Sequence, residues 1–174
     1  VFLNSHPPTA DVLLIASSAL VDVLAVFLLL RSIFGPTIRP FLGLMILLGL
    51  RQICQALCAL LPPDGMIWRY PGFPSLLVTY GVSNDLFFSG HTGLAVFGAV
   101  ELARMSWRWL RPIAVALAVF EVVTVLVLRA HYTMDVFTGA VTALFVAGLV
   151  PHLAPVCDQA LARFMSASRM WPET

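Results

Sequence analysis

The sequence predicts an all-α fold, a polytopic transmembrane helical bundle that forms one domain over residues 1–174. Two compositional observations and one of pattern predict it. Hydrophobic residues make up 60% of the chain and charged residues 11%, against about 25% charged in a soluble domain. Mean hydropathy is +0.93, so there is too little polar surface to cover a water-facing globule and lipid is the expected solvent. Apolar stretches close to the ~20 residues that cross a bilayer recur along the chain, and five qualify as spans.

The first stretch runs from Val12 to Leu30 and ends at Arg31. The second runs from Phe41 to Leu61 and stops at Pro62-Pro63. The third covers Phe88 to Ala103. The fourth follows Pro112 and ends near Arg129; a proline suits a helix start, where its missing N–H costs nothing. The fifth runs from Met134 to Val150 and stops near Pro151. Between the second and third, residues 62–86 hold Pro62, Pro63, Pro71 and Pro74 with Trp68, Tyr70, Phe73 and Tyr80. That is a loop with aromatics suited to headgroup depth, where they can also shape a lipid entry. Residues 104–111 form a short basic loop. Residues 158–171 mix Arg163 and Arg169 with Leu161, Phe164, Met165, Met170 and Trp171, and are expected as an amphipathic helix along the membrane surface. Cys54, Cys58 and Cys157 have no metal-type spacing and read as small core or lipid-facing residues. The chain opens on Val1 without a signal-peptide pattern.

A net charge of +1 gives no reason to expect nucleic acid as a partner. The placement of arginine is more informative. With alternating spans, one side collects Arg31, Arg39, Arg104, Arg108, Arg111, Arg163 and Arg169, and the other Arg69 and Arg129. The basic side is expected in the cytoplasm. The N-terminus, loop 62–87 and the junction at 130–135 then face outward. Asp22, Arg51 and Glu121 fall inside spans, where ionisable groups are expensive and are paired or functional. For Arg51, an ion pair with Glu121 and a substrate role are both open.

Two clusters carry chemistry. The first is Asp85-Leu86-Phe87-Phe88-Ser89-Gly90-His91-Thr92-Gly93, the second His131-Tyr132-Thr133-Met134-Asp135. Helices three and four form a hairpin through loop 104–111, so both histidines fall at one membrane face. His131 and Asp135 stand at i, i+4, one turn apart on one helix face. A carboxylate there accepts the imidazole N–H, fixes the tautomer and makes the other ring nitrogen a better nucleophile or base. Ser89 and Gly90 precede a helix, whose N-terminal amides hold phosphate-like anions, and glycine permits close approach. Ser89 also suits a helix cap. An anion cradle, an oriented nucleophile and a second histidine as proton donor are the parts of covalent phosphoryl transfer.

Ser89-Gly90-His91 with His131-x-x-x-Asp135 resembles the two main motifs of the type 2 phosphatidic acid phosphatase (PAP2) superfamily. The flanks DLFFSGHT and HYTMDV resemble its sphingomyelin-synthase-like branch, with support from Arg51-Gln-Ile-Cys leading to Leu60-Leu61-Pro62-Pro63 and from His6-Pro7-Pro8-Thr9-Ala10-Asp11. The resemblance implies a membrane enzyme acting on a phospholipid or lipid phosphate without a metal or other cofactor. His131 would form a phosphohistidine, Asp135 would orient it, His91 would protonate the leaving group, and Ser89 and Gly90 would hold phosphate oxygens. The acceptor would be water or a lipid alcohol such as ceramide or diacylglycerol.

The chain departs from the pattern in three places. An arginine that the phosphatase branch carries six residues before the second histidine is Val125 here, and there is no lysine. Arg51 and Arg129 are the candidates to replace it. Where the synthase branch carries Cys-Gly-Asp, this chain has Ser83-Asn84-Asp85, with Asp85 a further candidate for the site. The family has six spans, so the five counted here imply a first helix ahead of Val1. Two other readings start from the same residues. Two histidines and two aspartates could ligate zinc in a metal-dependent lipid hydrolase. A lipid-binding or transport scaffold would carry the motifs without chemistry.

Overall fold

The computed structural model describes residues 2–58, 60–78, 80 and 86–169. They form helices α1 (Phe2–Ser5), α2 (Pro7–Ile33), α3 (Arg39–Leu57), α4 (Gly90–Ala103), α5 (Leu110–Val127) and α6 (Thr133–Arg169). The fold is the expected all-helical membrane bundle, with no strand among the described residues. The helices α2, α3, α5 and most of α6 are long and apolar enough to cross a bilayer.

The helix α2 starts earlier than hydropathy suggests, because Pro7 and Pro8 occupy its first turn, where no intrahelical N–H is needed. Its buried face is Ala10, Leu14, Ser17, Val21, Leu24 and Leu28, the three-and-four spacing of one helical stripe. Val12, Val23, Val26 and Leu30 on the other side are exposed and meet lipid. The helix α3 ends at Leu57 rather than Leu61, and Cys58 is already extended.

The expected third span is α4, and it is short, at 14 residues. It nonetheless forms the centre of the bundle, packing against α2, α3, α5 and α6. From His91 to Glu101 it is buried nearly all round, so neighbouring helices rather than lipid surround it. Close approach is made possible by small residues: the Phe97 ring of α4 occupies the space over Gly43 of α3, where any Cβ would collide with it.

The helix α6 corrects the sequence reading at its C-terminal end. It does not stop at Pro151 but runs 37 residues through Pro151 and Pro155, about 55 Å at 1.5 Å per residue. Residues 158–169 of the segment expected as a separate surface helix are its continuation, while Met170 and Trp171 lie outside the described residues. Pro151 has no N–H for the Ala147 carbonyl. The Arg104 guanidinium donates to that carbonyl instead, at 2.7 Å, so the lost bond is replaced from another element. Arg104 also pairs with buried Glu101, which Arg39 bridges from the other side at 2.9 Å. Asp158 of α6 accepts from the Ile38 amide and the Thr37 hydroxyl at the start of α3. These bonds lock the ends of α3, α4 and α6 that lie away from the histidine motifs.

Candidate active site

The chain enters α6 through a tight reversal at the end of α5. The Ala130 amide donates to the Val125 carbonyl at 2.9 Å, and the Arg129 amide donates to the Leu126 carbonyl at 3.0 Å. This paired arrangement needs a left-handed residue just past the helix. Arg129 supplies it with φ 53°, although glycine is the residue that adopts it without cost. The reversal delivers His131 beside the first turn of α6.

His131 therefore precedes α6 rather than opening it. Its Nδ1 lies 3.3 Å from Oδ2 of Asp135. Asp135 is fully buried, and the same Oδ2 accepts from the Tyr132 amide at 2.9 Å. That is one half of a capping box: the third helical residue reaches back to the residue before the helix. A carboxylate so placed also complements the positive end of the helix. With Nδ1–H donating to this oxygen, the Nε2 lone pair would be left available.

Ser89 caps α4. Its hydroxyl accepts from the Thr92 amide at 3.3 Å and lies 3.0 Å from the Thr92 hydroxyl. The Ser89 amide donates to the Asp135 carbonyl at 3.0 Å, which joins the two motifs through their backbones. Gly139 completes the contact: a Cβ there would sit 2.6 Å from the Ser89 carbonyl oxygen. The N-terminal ends of α4 and α6 are thus held side by side.

These ends border a cleft lined by Arg51, Trp68, Gly90, His91 and His131, with apolar walls that include Val21, Leu48, Leu77, Val78 and Leu94. His91 is buried, and its Nε2 has no hydrogen-bond partner among the described residues. The Trp68 ring meets the His91 ring edge-on, with centroids 5.3 Å apart. A cleft with mostly apolar walls and a few converging polar groups suits a lipid whose phosphate is its reacting end.

The structure divides the other candidates. Arg51 lines the cleft from α3, and Gly90 makes room for it, since a Cβ on Gly90 would lie 2.9 Å from the Arg51 Nε. Arg129 points elsewhere. Its guanidinium donates to the Asp64 carbonyl at 3.2 Å and borders a second depression with Leu3, Asn4, Gly65 and Ile67. Glu121 is not the partner of Arg51 that the sequence left open, because its carboxylate accepts from Ser17 of α2 at 2.8 Å. The Ser89 side chain is buried within the cap and does not line the cleft. Asp85, with Ser83 and Asn84, lies outside the described residues. No cluster of three or more potential metal-ligating side chains occurs among the described residues.

The sequence reading has loop 62–86 as an interfacial aromatic belt that can also shape a lipid entry; its described residues around Trp68 fold over the site. The Ile67 amide donates to the Leu128 carbonyl, Tyr132 bonds the Leu61 carbonyl, and Arg69 pairs with Asp11 at 2.7 Å. Trp68 is thereby turned inward onto His91. Tyr80 stacks obliquely on Trp68 at 5.0 Å, and burial raises its phenol above the usual pKa. A tryptophan inside a Pro-rich loop between spans was the one available signal.

Residues 83–153 match the family model described as PAP2 superfamily C-terminal. The matched segment holds all of α4 and α5, His91, His131 and Asp135. The similarity supports an enzyme of the phosphatase type, acting on lipid phosphates at a membrane. No curated protein and no solved structure matches the chain.

Proposed function

We propose that this chain is a membrane lipid phosphatase or phosphotransferase that works through a phosphohistidine. The observation that carries the reading is one apolar cleft in which His131, tied to buried Asp135, stands with His91, Gly90 and Arg51. The phosphate of a phospholipid or lipid phosphate would lie against the first amides of α4 and the Arg51 guanidinium. His131 Nε2 would attack phosphorus as the bond to the leaving oxygen breaks. His91 would give that oxygen a proton, and the lipid alcohol would depart. Asp135 would stabilise the charge that develops on the His131 ring.

In the second half, His91 would take a proton from the acceptor hydroxyl, whose oxygen would attack phosphorus and release His131. The acceptor would be water in a phosphatase, or a lipid alcohol such as ceramide or diacylglycerol in a transferase. Exclusion of water from the cleft would decide between them. The walls of the cleft favour a lipid substrate over a soluble phosphate ester. The reading needs no metal, and it places the chemistry on the non-cytoplasmic side.

The test is a quench of purified protein with a lipid carrying labelled phosphate. A protein-bound label that is acid-labile and base-stable, present in the wild type and absent from His131→Ala, is the expected result. An acid-stable adduct, or label that persists in His131→Ala, would overturn the assignment of His131.

A further inference from the structure

Asp22 lies fifteen residues into α2 from Pro7, about 22 Å along the helix and well inside the span. A carboxylate at that depth is expensive unless donors satisfy it. Among the described residues its donors come from one short non-helical stretch, Ser75–Leu77. Oδ2 accepts from the Ser75 hydroxyl and the Leu76 amide, both at 2.9 Å, and Oδ1 accepts from the Leu77 amide at 3.1 Å. The Ser75 hydroxyl in turn accepts from the Val78 amide at 3.1 Å. Irregular backbone is tolerated at membrane depth only where its polar groups are paired, and Asp22 pairs two of these amides directly and Ser75, which it holds, a third. Ser18, one turn before Asp22 on the same face, bonds the Tyr80 hydroxyl and makes a second tether.

The strap so held has two faces. Leu77 and Val78 line the catalytic cleft beside Val21, the neighbour of Asp22. Leu76 is 77% and Leu77 46% exposed beside the apolar helix α2, to which Asp22 ties both amides. Leu77 therefore both lines the cleft and reaches the outer surface of the bundle. Tyr80, two residues beyond the strap, packs on Trp68, and Trp68 on His91, the histidine proposed to donate the proton.

We propose that Ser75–Val78 is the door through which lipid chains enter the cleft, and that Asp22 is the latch that sets its width. Asp22 is then a positioning residue for substrate selection, not a catalytic one. The inference rests on the lipid-phosphate reading of the cleft. With the strap latched, Leu77 leaves a slot of defined width; released, the slot widens and the site ceases to distinguish lipids by their hydrocarbon part.

The experiment compares a one-chain and a two-chain lipid phosphate with a short water-soluble phosphomonoester, using Asp22→Ala, the milder Asp22→Asn, and Leu77→Trp. Asp22→Ala should shift the one-chain to two-chain kcat/KM ratio by about fivefold or more through KM, with the soluble ester changed less than about twofold and Asn intermediate. Leu77→Trp leaves the latch intact. It should depress long-chain turnover by a larger factor than turnover of the soluble ester. An unchanged ratio in the Asp22 variants, or equal losses on all three substrates, would overturn the latch. If Asp22→Ala does not fold, Asp22→Asn and Leu77→Trp decide by the same ratios.

A second measurement needs no turnover. Vesicles of phosphatidylcholine containing a phosphatidic acid with a photoreactive group in mid-chain are irradiated with wild type and with His131→Ala. Label on the peptide holding Leu76–Val78 is expected in both. Label there without turnover of any substrate would sink the catalytic reading and keep the door; turnover with label only elsewhere would sink the door alone.

Discussion

The Nε of Arg51 lies 2.9 Å from the point a Cβ would occupy on Gly90, so the glycine of the first motif is the seat of an arginine from another helix. The clash introduced by Gly90→Ala would fall on the end of a flexible side chain, which can move away. Alanine also costs less than glycine inside a helix. This variant should fold at wild-type stability while losing roughly tenfold or more in kcat/KM, because a displacement of about an ångström at a charged contact is costly to turnover.

Gly139→Ala offers the contrast. There the clash is with the Ser89 backbone carbonyl at 2.6 Å, which cannot rotate away, and α4 and α6 must separate. It should destabilise by roughly 2 kcal/mol and lower the thermal midpoint in detergent. Wild-type activity in Gly90→Ala, or wild-type stability in Gly139→Ala, would contradict the packing that places Arg51.

The pairing of the two motifs was legible in sequence because it needs only hydropathy and a short loop between α4 and α5. The i, i+4 spacing of His131 and Asp135 likewise signalled their contact, although it is made across the start of α6 by a carboxylate reaching back and not along one helical turn. Choosing between Arg51 and Arg129 was not legible. The difference lies in a left-handed residue at the end of α5 and a glycine on α4, both products of tertiary packing. The passage of α6 through Pro151 was hidden for a similar reason: Arg104, 47 residues earlier in the numbering, supplies the donor that the proline lacks. Asp22 was recognised as an intramembrane acid, yet nothing local names the strap it holds.

The two arginines make opposite predictions. Arg51→Ala should cost about 100-fold in kcat/KM, the scale of losing a charged group that stabilises transferring phosphate. Arg129→Gly should keep activity within about threefold and raise the thermal midpoint, since φ 53° strains any residue with a Cβ by about 1 kcal/mol. Kinetics on a single lipid phosphate with both variants decides; a loss in Arg129→Gly comparable to that in Arg51→Ala would return Arg129 to the substrate.

Asp135→Asn should leave the fold intact, because an amide oxygen can still accept from the Tyr132 amide. It should lower kcat by about 100-fold or more, since a neutral amide cannot stabilise the positive charge that develops on the His131 ring. Rapid-quench measurement of the phosphoenzyme should show slowed formation. Fast formation with slow breakdown would assign the carboxylate to the second half-reaction instead.

His91→Ala should slow release of the leaving group, and by less for donors whose leaving groups are already acidic, because those need less protonation. A series of phosphate esters that spans leaving-group acidity gives the measurement. Equal losses across the series would mean that His91 only holds the phosphate.

The last prediction concerns the side of the membrane on which the cleft opens. His91 starts α4 and His131 follows α5, while residues 104–109 join the other ends of those helices. The histidines and that loop therefore lie on opposite faces, a relation that depends on α4 and α5 alone and not on the number of spans. The loop and its neighbours carry Arg104, Arg108 and Arg111, and the facing ends of α2 and α3 carry Arg31 and Arg39. Basic loops remain in the cytoplasm, so the cleft should open on the other side. Asp64 and Ser106 are both exposed and lie near the two faces. With Cys54, Cys58 and Cys157 replaced by alanine, Asp64→Cys should react with a membrane-impermeant thiol reagent in intact cells, and Ser106→Cys only after lysis. The reverse pattern would put the phosphate chemistry in the cytoplasm.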